Sequence, residues 1–543
     1  MRVMLWALVT APAACVAPAS PPVSHGPPRA GPLASSSVLD SRQAGASASA
    51  AAAKIRSAEG GLGSTAATAA APGPGSTASP RAAALPVADG PRLTSVGTKT
   101  WIRPTPSVTR RFLGYLRIGQ SVALQSSELV RGQGCPRGFY AIEPRGYVCH
   151  DRTVTLQRTT PFLRANAHSL PAVGPHPYHY ALSNGAPMYA RVPTATEQKR
   201  TEWRYGTAGS FLPMPMFQRG HEHLATTDPI LATDPLPEFL LDGGGARGRP
   251  LALFKRTIPH GSMLAYTRAF DVSGRTFLLS ADLTVVPADR VRRFRRSTFQ
   301  GVELTGDARL PIAWVVGKPS PQYDDRGDEL TVTKQHWPVR SFVRLGSGER
   351  QQAGRTFFPV AVVAGQQPRH IAADDARVVR RRTKRPFGVR PGDRWVIVSI
   401  TQGTLVAYDD LTPVYATLVS PGQGGLPRAG GDLVKDSTTP TGTFRITFKD
   451  RAATMSSEFG ENRSFWIADV PFTQYFSPPF ALHGTYWHER FGEPMSAGCV
   501  NLSPRDAKWL FDWTGPAVPP GWQGATGAGA KENGPTSWVV ITR

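Results

Sequence analysis

The chain has 543 residues, too many for one core and enough for three to four domains at roughly 150 residues each. Its 54 Gly and 51 Pro make up about a fifth of the sequence, which excludes an all-helical bundle and favours short strands joined by turns. With 62 Lys and Arg against 39 Asp and Glu, the formal charge of +23 suits an anionic surface such as nucleic acid, acidic lipid or a carboxylate-bearing wall polymer, without choosing among them. The four cysteines, Cys15, Cys135, Cys149 and Cys499, stand in contexts too different for a multi-bridge scaffold or a four-cysteine zinc site.

Residues 1–17 read as a signal peptide. In MRVMLWALVTAPAA, Arg2 supplies the positive n-region, and the apolar run after it is shorter than the about 20 residues a spanning helix needs. Export to the periplasm or cell envelope is expected. Cleavage after Ala14 would leave Cys15 as a lipid-anchor candidate, although Pro12 stands where a lipobox usually carries Leu. Residues 18–94 are an Ala/Pro/Ser/Gly tether, with stretches such as GASASAAAAK that lack the periodic apolar residues an ordered core requires. A flexible segment of that length has an r.m.s. span of roughly 45–50 Å.

Residues 95–157 turn to β-rich runs punctuated by Gly and Pro: TKTWIRPTP, RRFLGYLRIGQSVALQ and RGFYAIEPRGYVCHDRTVTL. Through Trp101, Arg103 and the run Gly114–Gly119, this segment resembles bacterial SH3-like domains. Cys135 and Cys149 flank two predicted strands, and in an oxidising compartment a bridge between them would stabilise by roughly 3 kcal/mol. Residues 158–300 predict further short strands. Their His176, His179, His221 and His223 have no neighbouring Cys, and ordinary histidines are expected there. Residues 301–390 offer another β unit, with an SH3-like barrel as one reading, and close on the basic linker VVRRRTKRPFGVR. No zinc-finger, helix-turn-helix or RNA-binding signature accompanies that basic run, so no nucleic-acid partner is expected.

The chemistry concentrates in residues 391–543. The runs RWVIVSITQGTLVAYDDLTPVYATLVSPG, TPTGTFRITFK and SFWIADVPF predict strands. FALHGTYWHERFGEPMSAGCVNLSPRDAKWLFDW follows. Ser503, Pro504 and Asp506 read as the N-cap, first turn and capping-box acid of a helix, so Cys499 precedes a helix by a short turn. Gly498 removes a side chain beside the sulfur, which predicts room for a substrate carbonyl and backbone N–H groups for an oxyanion. A thiol with a pKa of ~8.5 is only a few per cent ionised at neutral pH and needs a base, which His483 can supply. Spacing alone does not distinguish this pair from chance.

The elements HGT (His483, Gly484, Thr485) and SAGCVN (Ser496 to Asn501), with TPTGTF upstream, resemble the signature of L,D-transpeptidases. In that family a His-Gly pair precedes an S-H-G-C-x-N or S-H-G-C-x-R loop. The resemblance implies a mainly β, multidomain protein: SH3-like barrel modules, then a C-terminal β-rich catalytic domain with a short helix after the nucleophile. It implies that Cys499 is acylated by a peptidoglycan stem peptide, that His483 moves the proton, and that Gly498, Ser496, Gly484 and Asn501 support the site. The product would be a 3-3 cross-link, formed without a cofactor. The family usually has His where this chain has Ala497, and His488 is a candidate auxiliary for that vacancy. HGTYWHE lacks the i, i+4 histidine pair with an internal Glu that a zinc protease helix uses, so no metal is expected. Two alternatives stay open: a noncatalytic peptidoglycan-binding wall protein, and an L,D-carboxypeptidase that hydrolyses the same bond.

Overall fold

The computed structural model describes residues 90–543, apart from 203–204, 207–211, 215–219, 251, 307, 363–366, 457–465, 528 and 530. The expected signal peptide, the anchor candidate Cys15 and the tether up to residue 89 lie outside the described residues. The described chain is mainly β, with strands gathered into five sheets and short α-helices at Pro161–Ala167, Ala195–Thr201 and Pro504–Trp513.

The amino-terminal unit divides between two sheets. Arg92–Ser95, Ser121–Val130, Phe139–Ile142, Tyr147–Cys149 and Val154–Thr155 form a five-stranded antiparallel sheet. The hairpin Lys99–Ile102/Gly114–Arg117 instead joins the 14-stranded sheet, where Gly114 and Tyr115 pair with Ala525 and Gly524. Cys135 and Cys149 are disulfide-bonded, with Cα atoms 5.8 Å apart. Buried polar contacts accompany the shared sheet: Tyr115 donates to Asp450 at 2.6 Å, and Arg117 pairs with Asp469 at 2.5 Å.

The large sheet also takes Met263–Val272, which runs parallel to Trp466–Ser477 through the Met263–Ile467 pair. Tyr178, Tyr180, Leu224 and Phe294 from residues 158–300 share one core with Val470, Tyr486 and Trp487. On the carboxy-terminal side, Arg394–Ser399 pairs with Thr404–Asp409 and Trp538–Thr542 in a six-stranded sheet. Strand alternation gives this sheet two apolar faces. Val396, Val398 and Leu405 pack toward Phe480, Leu482 and the helix residues Ala507 and Leu510. Trp395, Val406 and Tyr408 pack toward Ile312 and Trp314 of a three-stranded sheet in residues 301–390. The basic linker lies over the Thr404–Leu418 hairpin, where Arg385 grips Asp410 through two bonds of 2.5 and 2.9 Å.

Candidate active site

The strand Phe480–Gly484 pairs antiparallel with Trp466–Ser477 and parallel with Val500–Leu502, in the register Leu482–Val500, His483–Asn501 and Gly484–Leu502. Leu482, Val500 and Leu502 enter the core, so alternation directs His483 and Asn501 to the other face. Cys499 stands in the turn just before the strand Val500–Leu502. Gly484 is required by close approach: a Cβ there would lie 2.9 Å from Pro471 Cγ and 3.2 Å from Ala507 Cβ. Its bare backbone lets the helix Pro504–Trp513 rest on the histidine strand.

The Cys499 turn is tied by one hydroxyl. Ser496 Oγ donates to the Cys499 carbonyl and accepts the Gly498 N–H at 3.1 Å. Two expectations are corrected here. Gly498, at φ 119°, does not open a path for a carbonyl: a Cβ would meet the Phe480 ring at 2.5 Å and the Thr438 carbonyl at 3.1 Å. Its N–H is also engaged by Ser496 rather than free for an oxyanion. Beyond Cys499, the strand Val500–Leu502 separates the thiol from the helix, which starts at the Ser503 cap with Ser503 Oγ accepting Asp506 N–H at 3.1 Å. The Asp506 carboxylate meets Ser503 of the cap and also donors from outside the helix. It accepts from Tyr415 Oη at 2.7 Å, Thr417 Oγ1 at 2.6 Å and Gly301 N at 2.7 Å, because these donors meet it inside the core.

Cys499 forms no disulfide and has 0% exposure, and His483 is equally buried. His483 Nδ1 lies 3.3 Å from the Gly484 carbonyl, which can only accept, so the ring proton sits on Nδ1 and Nε2 carries the basic lone pair. The Trp487 ring lies 6.0 Å from the His483 ring.

His488 is buried rather than an exposed loop residue, and it bonds the Asn501 amide at 3.0 Å. Its Nδ1 accepts the Arg490 N–H at 3.3 Å, so a neutral ring must donate from Nε2. The Asn501 atom facing it is therefore assigned as the amide oxygen; the opposite assignment leaves that oxygen buried without a partner. Burial, reinforced by His221, His223, His483 and Arg490, holds the His488 pKa well below the ordinary histidine value, which keeps the ring neutral. Ala497 lies buried beside this pair in sequence and contributes no polar group.

The structure brings in residues that the sequence did not single out for the site. His221 lies 6.1 Å from Trp487, and His223 Nδ1 accepts the Glu489 N–H at 3.2 Å. Burial lowers His221 to about 4. His179 stacks on Tyr266 at 5.2 Å, away from these contacts. Among the described residues, no group of three or more metal-ligating side chains forms. Glu489 entered the sequence reading only through HGTYWHE, which fits no zinc motif, because its arginine partners lie 149 and 194 positions upstream.

Residues 393–536 match the family model of YkuD, the L,D-transpeptidase catalytic domain. No curated protein matches the chain. Among solved structures, a crystal structure of an Enterococcus faecium L,D-transpeptidase mutant is 18% identical, with 28% of this chain and 50% of that chain covered and a TM-score of 0.20. An L,D-transpeptidase from Xylanimonas cellulosilytica is 23% identical over 29% of this chain and 65% of its own, with a TM-score of 0.19. L,D-transpeptidase 3 from Mycobacterium tuberculosis is 14% identical over 42% and 82%, with a TM-score of 0.21. The chain thus spans half of the first of these relatives and just under two thirds of the second.

Proposed function

We propose that this chain is an L,D-transpeptidase acting on peptidoglycan stem peptides, with the family match over residues 393–536 as premise. The observation that carries the reading is the parallel register of the histidine strand with Val500–Leu502, which puts His483 and the cysteine turn on adjacent strands. In this mechanism His483 Nε2 takes the Cys499 proton and the sulfur attacks the carbonyl of the stem's L-centre diamino acid. The tetrahedral oxyanion collapses, and D-Ala leaves as its amine receives the proton from His483. An amine of a second stem then opens the thioester, its proton passes through His483 to the departing thiolate, and a 3-3 cross-link results. With Gly498 N–H engaged by Ser496, Cys499 N–H is the backbone donor proposed for the oxyanion. Export to the cell envelope, an anchor at Cys15, an SH3-like residues 95–157 and retention on anionic wall by the +23 charge belong to the same proposal.

The test is incubation of the full chain with a tetrapeptide stem or a carbapenem. A mass increase mapped to Cys499, absent in Cys499→Ser, is expected; an unmodified thiol where a control enzyme is acylated overturns the reading. The 0% exposure of Cys499 is the observation that favours the rival wall-binding role, and that second outcome would support it. Product analysis separates the remaining alternative, since tripeptides alone mean L,D-carboxypeptidase hydrolysis and dimers mean transfer.

A further inference from the structure

Glu489 follows Trp487 and His488 in the stretch that faces His483 and Asn501. Its side chain is 4% exposed. Two guanidiniums from different parts of the chain converge on the same carboxylate oxygen: Arg295 at 2.9 Å, just after the strand Val291–Arg293, and Arg340 at 3.1 Å, in the turn before Phe342–Arg344. Arg340 also donates to the Glu489 carbonyl at 3.2 Å, from a residue held at φ 65°, a conformation that side chains with a Cβ rarely adopt.

The same stretch is held from the first middle unit by backbone. Leu224 N–H donates to the Trp487 carbonyl at 3.0 Å, and Arg295 N–H donates to the Leu224 carbonyl at 2.9 Å. Tyr486 stacks on Tyr180 at 3.6 Å and donates to the Ala468 carbonyl at 2.8 Å. Every residue from Tyr486 to Glu489 therefore has a defined partner. Trp487 and His488 face His483 and Asn501, while Tyr486 and Glu489 are anchored to Tyr180 and to the two arginines. The buried carboxylate is held in place by two arginines at once, and losing both would leave its charge buried without compensation.

We propose that Glu489 is a positioning residue through which the two middle β units, residues 158–300 and 301–390, hold the Trp487–His488 wall against His483 and the cysteine turn. The middle units then serve the reaction as a mould for the active-site wall, independently of any wall polymer they bind. This rests on acyl transfer at Cys499. Glu489 touches no reacting atom, and its effect passes through the two residues before it.

The test uses the full chain and the variants Glu489→Gln, Arg340→Ala, the double variant of these two, and the conservative Arg340→Lys. Carbapenem acylation of Cys499 is resolved into its first-order step and its binding constant, alongside the urea unfolding midpoint. Glu489→Gln and Arg340→Ala are expected to slow the first-order step by roughly 2- to 30-fold, with the double variant no slower than Glu489→Gln alone and Arg340→Lys largely recovered. Folded variants acylated at the unaltered rate, or fully additive losses, overturn the positioning role and leave the enzymatic reading intact. Should a truncating variant of Glu489 or Arg340 not fold, Arg295→Ala decides, because that side chain is half exposed: a slowed first-order step supports the positioning role, and an unchanged step and binding constant with a lowered unfolding midpoint mark a merely structural pair. If the unaltered chain is not acylated at all, the enzymatic reading fails; alkylation of Cys499 by iodoacetamide, located by peptide mapping, then decides the coupling, which an unchanged alkylation rate in Glu489→Gln overturns.

Discussion

At the residue scale, the His488–Asn501 pair puts a buried imidazole against the strand that follows Cys499, 3.0 Å from the Asn501 amide, while Ala497 contributes no polar group. Asn501→Ala would leave His488 Nε2–H buried and unpaired, at a cost of about 1–3 kcal/mol. The urea midpoint should fall with an unchanged slope. The same histidine makes a pH prediction. Its folded pKa lies well below the unfolded value, so above about pH 6.5 both states are neutral and nothing is lost. As the pH falls below that, the unfolded chain takes the proton first, and stability drops by about 1.4 kcal/mol per unit until the folded pKa is reached. Unfolding curves at pH 7.5 and 5 should show this loss in the native chain, and a smaller one in His488→Gln.

At the scale of elements, the helix Pro504–Trp513 is fixed at both ends by groups from outside it. Asp506, in its first turn and 0% exposed, gathers donors from Tyr415, Thr417 and Gly301. At its other end the Lys449 ammonium donates to the Phe511 carbonyl at 2.5 Å and the Thr514 carbonyl at 2.8 Å, satisfying carbonyls that a helix end leaves open. Burial pushes Lys449 far below the usual lysine range, against the charged form. Because the helix rests on Gly484, its placement reaches the histidine strand directly. Asp506→Ala strands three buried donors and should cost about 3 kcal/mol in unfolding free energy. Asp506→Asn should cost less, because its amide oxygen can still accept from Tyr415 Oη and Gly301 N–H while its NH2 donates to Thr417 Oγ1. Equal losses in the two variants would show that the carboxylate oxygens do not matter.

At the scale of the whole molecule, the carboxy-terminal segment does not own all of its sheet. Gly524–Thr526 pairs with the amino-terminal Gly114–Arg117, and Trp522 and Ala525 lie in the core of the amino-terminal unit. Asp450 and Asp469, both buried, take their partners Tyr115 and Arg117 from that unit. Residues 391–543 alone would expose an unpaired strand edge and strip both carboxylates of these donors. That fragment is expected to be aggregated or non-cooperative in thermal unfolding, whereas residues 90–543 unfold cooperatively. A soluble fragment with an intact, cooperative transition would contradict the shared-sheet account.

The mainly β character, the disulfide and the family of residues 393–536 were legible in the sequence because each has a local code. Strand propensity and turn residues announce β structure, two cysteines between predicted strands announce a bridge, and HGT with SAGCVN is contiguous chemistry. The burial of Cys499, the engagement of Gly498 N–H, the His488–Asn501 bond and the Arg295–Glu489–Arg340 cluster had no such code. The Glu489 cluster and the shared sheet depend on which distant segments meet: Glu489 and Arg295 are 194 positions apart, and Tyr115 and Asp450 are 335. Sequence spacing determines what a residue can do locally. Only the folded chain determines which charges are taken out of water together, because burial and pairing are properties of the packed volume rather than of neighbours along the chain.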